Sequence, residues 1–260
     1  RDTSERAQFF VKQEGRRLQS CLYSQQFSAA FLRHLCRMAT AIREIQDNRP
    51  GADYLRGLLS HKRVILYFLQ PSTRTRMSFE AACDMLGLEH SLVHDASTSS
   101  EVKGESALDT VQTFSNYADA VVIRHPEQGF AEQVAWHLLA NTARPLPVIN
   151  AGSGPDQHPT QALLDWYTIE RSGGGVNGKT ILFAGDLRRG RTVRSLIYLT
   201  KHARDVRLLL IAPPGFEVKP DITEFLDRHG IAYLQNTVLE PHIAEADVIY
   251  MTRVQDEHDR

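Results

Sequence analysis

The 260-residue sequence has 42% hydrophobic residues, 23% charged residues and a formal net charge of −1, as in an ordinary globular protein with room for two domains. The near-neutral charge gives no sign of nucleic acid or an anionic membrane as a partner, and no apolar run reaches the roughly 18 residues of a membrane span. Cys21, Cys36 and Cys83 have no metal-ligand spacing. We therefore expect free thiols, no metal, no cofactor and a cytoplasmic location.

Strand and helix patterns alternate along the first half of the chain, after a polar amino-terminal extension over residues 1–16. Helices are predicted over residues 26–45, 107–117, 129–140 and 159–170, with a polar break at 48–51. A further helix is predicted to follow the N-cap candidates Ser72 and Thr73 and to run through Leu86. Strands are predicted over residues 64–69, 91–94, 120–123 and 147–150. A loop is predicted over residues 151–155.

The second half repeats this alternation after Ser172–Gly175, the clearest candidate hinge. Strands are predicted over residues 180–184, 206–211, 231–234 and 248–251. Helices are predicted over residues 192–202, 221–229 and 239–245. The pattern predicts an α/β protein with two doubly wound domains, residues 1–165 and 166–260, each with a mainly parallel sheet.

Residues Ser72, Thr73, Arg74 and Thr75 lie where the carboxyl end of a predicted strand meets the amino end of a predicted helix. Such a place offers backbone N–H groups and the positive end of a helix dipole. Hydroxyl and guanidinium groups add further donors, so this chemistry fits a phosphate group. The alternative interpretation is an ordinary capped helix with solvated arginines.

Polar clusters also follow the other predicted strands. They comprise residues 97–100 with Lys103, residues 124–126, residues 158–161, residues 185–191 and residues 252–255. In an open parallel sheet, ligands bind outside the carboxyl ends of the strands. We therefore expect the clusters to converge on an active site in a cleft between the two domains.

Six motifs now identify a resemblance: PSTRTRMSFE, VKGES, VIRHP, HPTQALLD, GDLRRGRTVRSL and YMTRVQ. Their order and approximate spacing resemble those of the aspartate carbamoyltransferase family over nearly the whole chain after residue 16. GDLRRGRTVRSL and MTRVQ together favour the aspartate branch over the ornithine branch. The resemblance implies transfer of the carbamoyl group of carbamoyl phosphate to L-aspartate, which gives N-carbamoyl-L-aspartate and phosphate in pyrimidine biosynthesis.

The resemblance also implies roles for individual residues. Those expected to hold the phosphate of carbamoyl phosphate are Ser72, Thr73, Arg74 and Thr75. Arg124 and His158, with help from Thr75, are expected at the carbonyl oxygen, and Gln161 at the carbamoyl amide. Those expected to hold the carboxylates of aspartate are Arg191, Arg253 and Gln255. Ser99 and Lys103 match a loop that enters the active site of a neighbouring subunit. The catalytic set is Arg74, Thr75, Lys103, Arg124 and His158.

Each assignment has a plainer alternative. His158 alone is equally compatible with a core histidine, whereas the position of Arg124 at the exit of a buried strand, before His-Pro, favours a functional arginine over a surface one. Lys103 and Gln255 would be solvated loop residues without the resemblance, and Val102 stands where some family members carry a second lysine. The motif at 185–190 is not GxGxxG, which speaks against a dinucleotide site.

The implied assembly is a homotrimer with shared active sites, with regulatory or pathway-enzyme chains as possible partners. The family pattern continues past Arg260 with an HPLPR-like segment and a terminal helix, so we expect the sequence to be part of a longer catalytic chain. Two alternatives stay open. One is a carbamoyltransferase for ornithine or another amine, and the other is a non-catalytic paralogue that serves as a partner chain.

Overall fold

The computed structural model describes residues 19–94 and 106–253. Across these two stretches, no helix combines the length and apolar character needed to cross a bilayer. Contacts divide the chain into two compact units. The first comprises the chain up to Gln26 together with Arg33–Asp156, and the second comprises Phe27–Leu32 together with the chain from Gln157 onward. The boundary between residues 165 and 166 stays a prediction.

The first unit contains a four-stranded sheet in which all neighbouring strands are parallel. Its strands are β1 (Arg63–Phe68), β2 (Glu89–Val93), β3 (Ala120–His125) and β4 (Val148–Ser153). The helices up to β4 are α1 (Ala29–Gln46), α2 (Arg49–Leu58), α3 (Thr73–Leu86), α4 (Ala107–Phe114) and α5 (Phe130–Asn141). The strand order β2-β1-β3-β4 changes direction between β1 and β3, so these two strands form the topological switch point.

Both faces of this sheet are covered, as expected for a doubly wound sheet. Tyr67 of β1 is fully buried in a cluster with Val111 of α4 and Val134 of α5. Leu66, the preceding residue, faces the opposite side and belongs to a cluster with Cys83 of α3. Because successive strand residues point to opposite faces, the nearly continuous apolar run in β1 fills two cores.

The second unit contains another all-parallel four-stranded sheet, with the order β7-β6-β5-β8. Its strands are β5 (Thr180–Ala184), β6 (Arg207–Ile211), β7 (Ala232–Asn236) and β8 (Val248–Met251). The helices from β4 onward are α6 (Pro159–Ser172), α7 (Arg191–Thr200), α8 (Pro220–Arg228) and α9 (Glu240–Ile243). Here the order changes direction between β5 and β8, which are therefore the switch-point strands.

The two sheets share one hydrogen-bonded arrangement, an aspartate that joins the amino ends of the two switch-point strands. Asp119 accepts a hydrogen bond from the backbone N–H of Arg63 at 3.1 Å, which joins β3 to the start of β1. Asp247 accepts from the backbone N–H of Thr180 at 2.8 Å, which joins β8 to the start of β5. In each case the preceding lysine donates to the other carboxylate oxygen, at 3.2 Å and 3.3 Å. Both pairs of switch-point strands are thus pinned in the same way.

The predicted α/β class and the two parallel sheets are confirmed. One helix was missed: α2 begins at Arg49, inside the predicted break at 48–51, so that break is largely wrong. Asn48 caps it by accepting from the Gly51 N–H at 2.9 Å, and Pro50 lies in the first turn, where its missing N–H costs nothing. The predicted loop after β4 is also partly wrong, because the strand continues through Ser153.

Candidate active site

The first-turn residues of α3 follow β1 at the first switch point. Ser72 is the N-cap residue, but its hydroxyl does not cap the backbone and instead donates to Thr75 Oγ1 at 2.9 Å. The first-turn N–H groups are therefore not used by the Ser72 side chain. Arg74 is exposed, and among the residues described it forms no ion pair. Backbone donors, hydroxyls and a guanidinium are gathered here in the way that an anion requires.

Arg124 lies in β3, on the other side of the same switch point. Its side chain is 6% exposed, and Nη1 donates to the Ala151 carbonyl of β4 at 3.0 Å. Its own carbonyl accepts from the backbone N–H groups of Leu69 and Gln70, at 2.9 Å and 3.2 Å. These bonds hold the segment that leads to Ser72 directly beside the end of β3. The structure therefore brings Arg124 and the start of α3 together, as the sequence predicts.

A buried asparagine supports this arrangement. Asn150 is 2% exposed and accepts from the Gly152 N–H at 2.8 Å and from the Ser153 hydroxyl at 3.2 Å. Its side-chain nitrogen donates to the Leu22 carbonyl at 3.0 Å. The end of β4 that presents the Ala151 carbonyl to Arg124 is thereby fixed from two sides. A buried guanidinium held by such a carbonyl is positioned with little freedom.

His158 is the N-cap residue of α6 in the second unit, and it is 5% exposed. Ring atom Nδ1 faces two donors, the Thr160 hydroxyl at 3.2 Å and the Gln161 backbone N–H at 3.4 Å. These contacts assign Nδ1 as an acceptor, which places the proton of the neutral ring on Nε2. A neutral imidazole with an N–H at Nε2 can donate to a carbonyl oxygen.

Ser195 connects the beginnings of α6 and α7. The His158 backbone N–H donates to the Ser195 hydroxyl oxygen at 2.9 Å, and this hydroxyl donates to the Arg191 carbonyl at 2.7 Å. Burial lowers the pKa of the Arg191 guanidinium, although arginine remains charged. The structure therefore places His158 and Arg191 around one shared hydroxyl. The sequence analysis did not predict a role for Ser195, because a single polar residue within a helix gives no signal of a contact with another helix.

Arg253 follows β8 at the second switch point and is exposed. The preceding residue, Thr252, donates to the Ala184 carbonyl through its backbone N–H at 2.8 Å and through its hydroxyl at 3.0 Å. Gly185 lies against this segment with φ of +111°. Arg191 begins the helix that follows β5, so each switch-point strand of the second sheet leads to one arginine.

Gln161 is half-buried on α6, and its Nε2 donates to Asp165 at 2.9 Å. Asp165 was missed, although it lies inside the HPTQALLD motif and one helical turn from Gln161, where side chains meet. Three predicted site residues, Ser99, Lys103 and Gln255, lie outside the residues that the structure describes.

The sequence of this chain is similar to that of a known enzyme family. Residues 19–171 match the model of the aspartate/ornithine carbamoyltransferase family, carbamoyl-P binding domain. Aspartate carbamoyltransferase 1, chloroplastic, of Pisum sativum is 41% identical over 241 residues, which cover 92% of this chain and 60% of the relative. The chain thus spans about three fifths of the length of that curated relative.

The fold of this chain is also similar to solved structures of aspartate transcarbamoylases. The catalytic subunit of Methanocaldococcus jannaschii aspartate transcarbamoylase superposes with a TM-score of 0.80 at 34% identity, covering 92% of this chain and 75% of that one. Trypanosoma cruzi aspartate transcarbamoylase, in complex with carbamoyl phosphate and aspartate, gives 0.81 at 34% identity, covering 91% and 73%. The chain belongs to the aspartate/ornithine carbamoyltransferase family.

Proposed function

We propose that the protein transfers the carbamoyl group of carbamoyl phosphate to the amine of L-aspartate, giving N-carbamoyl-L-aspartate and phosphate for pyrimidine biosynthesis. The observation that carries the proposal is the parallel placement of anion-binding groups at the two switch points. Arg124 and the first turn of α3 lie at one, whereas Arg191 and Arg253 lie at the other. The T. cruzi relative, which binds the same two substrates, supports it.

In this proposal the first-unit residues hold the phosphate. Arg74, the N–H groups of the first turn of α3 and the Ser72 and Thr73 hydroxyls bind its oxygens and stabilise the charge on the departing phosphate. Arg124 and Thr75 donate to the carbonyl oxygen. Since Arg124 is buried and already held by the Ala151 carbonyl, it needs little reorganisation as negative charge develops.

Second-unit residues supply the rest of the chemistry. His158 donates through Nε2–H to the same carbonyl oxygen, and Gln161 binds the carbamoyl amide. Arg191 and Arg253 bind the carboxylates of aspartate. The amine nitrogen then attacks the carbonyl carbon, the C–O bond to phosphate breaks with its electron pair going to the phosphate oxygen, and the departing phosphate takes up the proton that the amine loses. No covalent enzyme intermediate is required, so catalysis consists of positioning and charge stabilisation.

An acceptor such as ornithine is the second candidate. A cationic side chain would need acidic partners at the second switch point, whereas Arg191 and Arg253 favour a dicarboxylate. The buried Asp186 follows β5. Its Oδ1 accepts from the backbone N–H of Arg189 at 2.9 Å and stabilises the turn that Asp186 begins. The arginines therefore favour aspartate.

We further propose a homotrimer in which Ser99 and Lys103 act at the neighbouring subunit's site, and in which Gln255 assists with aspartate. The M. jannaschii relative is a catalytic subunit, which supports an assembly of several chains. The cytoplasmic location stays a prediction, since the Pisum sativum relative is chloroplastic by name.

The direct test is phosphate release by the full-length protein with carbamoyl phosphate and either aspartate or ornithine. We expect release, and formation of N-carbamoyl-L-aspartate, with aspartate alone. Turnover with ornithine in place of aspartate would support the second candidate. A folded protein without turnover on either amine would support the non-catalytic paralogue.

A further inference from the structure

Asp165 connects Gln161 to the second sheet through two short hydrogen bonds. On one side, its Oδ1 accepts from Gln161 Nε2 at 2.9 Å, one helical turn away on α6. On the other, its Oδ2 accepts from the Tyr250 hydroxyl of β8 at 2.8 Å. Both carboxylate oxygens therefore receive a donor. Asp165 is half-buried, so these bonds are partly shielded from water.

An ionised carboxylate can only accept hydrogen bonds, and this fixes which end of the Gln161 amide faces it. The amide nitrogen must point to Asp165, because the amide oxygen would otherwise stand against another acceptor. Gln161 Oε1 is then left to accept a bond from a different donor. The NH₂ of a carbamoyl group is such a donor, whereas a methyl group of the same size is not.

We propose that Asp165 is a positioning residue that makes the site selective for a carbamoyl group by holding the Gln161 amide in one orientation. The inference rests on the proposed function, because it assumes that Gln161 meets the carbamoyl amide. Asp165 itself touches no substrate in this account. Asp165 disfavours the flipped orientation of the Gln161 amide. In that orientation the Gln161 NH₂ would face the NH₂ of the substrate, and two donors would oppose each other.

Tyr250 extends the same network toward the residues that bind aspartate. Burial raises the pKa of Tyr250, so the phenol keeps its proton and remains a donor to Asp165. Tyr250 itself precedes Arg253 by three residues. One carboxylate therefore connects the elements that carry Gln161 and Arg253.

The test compares two stable ligands in equilibrium binding to the full-length protein. Phosphonoacetamide carries the phosphonate and the amide, whereas acetonylphosphonate carries a methyl group in place of the amide nitrogen. For the unmodified protein we expect about tenfold tighter binding of phosphonoacetamide, the contribution of one buried hydrogen bond. In Asp165→Leu, which keeps the size and branching of the side chain, this preference should fall to about one, with acetonylphosphonate binding nearly unchanged.

A structural role for Asp165 would weaken both ligands equally, and that result would overturn the inference, as would an unchanged preference. Tyr250→Phe removes one donor but leaves the bond between Asp165 and Gln161, so at least half of the preference should remain. Asp221→Asn is the matched control, because Asp221 pairs with Arg194 in the same unit, and the preference should not change. If Asp165→Leu does not fold, Asp165→Ser provides the same comparison.

The same binding experiments distinguish failure of the proposed function from failure of the proposed role of Asp165. If the unmodified protein binds neither ligand, the phosphate site is wrong. If it binds both ligands equally well, Gln161 does not read the amide and the positioning role of Asp165 is refuted. Gln161→Leu supplies the final check. Its preference should also fall to about one, and adding Asp165→Leu should cause no further loss if both act through the same bond.

Discussion

Gly185 lies so close to Thr252 that a Cβ atom at Gly185 would be 2.4 Å from the Thr252 carbonyl oxygen. The φ of Gly185 is +111°, a region that side chains rarely adopt. Thr252 precedes Arg253 directly. The end of β5 and the end of β8 are thus in contact through a position that only glycine can occupy without displacing the segment that carries Arg253.

Gly185→Ala should therefore destabilise the protein and disturb aspartate binding. We expect a loss of about 2–4 kcal/mol in the free energy of unfolding and a higher KM for aspartate. Chemical denaturation and initial-rate kinetics give both values. Gly215→Ala is the control, because φ is +87° there but no atom lies within 4 Å of the added carbon. An equal loss in both variants would mean that backbone strain, and not the contact with Thr252, dominates.

Arg74→Ala should leave the fold intact and remove most of the activity. The side chain is exposed, so the free energy of unfolding should change by less than about 0.5 kcal/mol. Loss of a donor to the departing phosphate should lower kcat by about a hundred- to a thousandfold. Arg63→Ala is the control at the opposite end of β1, where Arg63 pairs with Glu89. A folded Arg74→Ala protein with near-normal turnover would refute the phosphate assignment.

Arg253→Ala should raise the KM for aspartate by about thirty- to a hundredfold, as expected when a charged bidentate contact to a carboxylate is lost. Binding of phosphonoacetamide should change by less than about twofold, because that ligand has no aspartate part. Arg207→Ala is the control, since Arg207 begins β6 at the amino ends of the strands, far along the sheet from Arg253, and pairs with Glu245 at 2.9 Å. Equal damage to both ligands would contradict the separate roles.

His202 should make stability depend on pH in mildly acidic solution. Burial, and then the charge of Lys201, lower its pKa from 6.5 to about 4, although a bond to the Phe27 backbone opposes the shift. The unfolded chain therefore binds a proton between pH 6.5 and 4 that the folded chain refuses, so stability falls as the pH drops through this window.

Thermal unfolding of the unmodified protein and of His202→Gln, measured from pH 7 to pH 4, checks this prediction. The melting temperature of the unmodified protein should fall more steeply between pH 6.5 and 4 than that of the variant. His229, whose charge also acts on His202, is the control, and His229→Gln should preserve most of the slope. Parallel curves for the protein and His202→Gln would show that His202 does not titrate with folding.

The shared-site proposal predicts complementation between two inactive variants of the full-length protein, Arg74→Ala and Lys103→Ala. In a cyclic trimer, random exchange makes about three quarters of the trimers mixed, and one third of the sites in each mixed trimer has both residues. About a quarter of the unmodified activity should return after subunit exchange. If exchange is verified by labelling and no activity returns, Lys103 acts within its own chain.

The sequence predicted the order of strands and helices well because periodic apolar residues record which faces are buried. Strand β5 has the predicted bounds, whereas α2 was missed because Pro50 reads as a break when it is in fact a favourable first-turn residue. The candidate site residues were proposed from motifs and stay a prediction. Their supports, Ser195 and Asp165, were not proposed, because a hydrogen bond across elements leaves no periodic trace in one sequence.

The paired arrangement formed by Asp119 and Asp247 has a consequence for how new specificities arise. Each sheet has its own bridging aspartate and its own switch point, and its own arginines follow the switch-point strands. Under the proposed function, exchanging the loops after β5 and β8 should change which amine is accepted while the groups proposed to bind phosphate stay in place. The family description that covers residues 19–171 unites aspartate and ornithine enzymes, which is what such modular inheritance would leave behind.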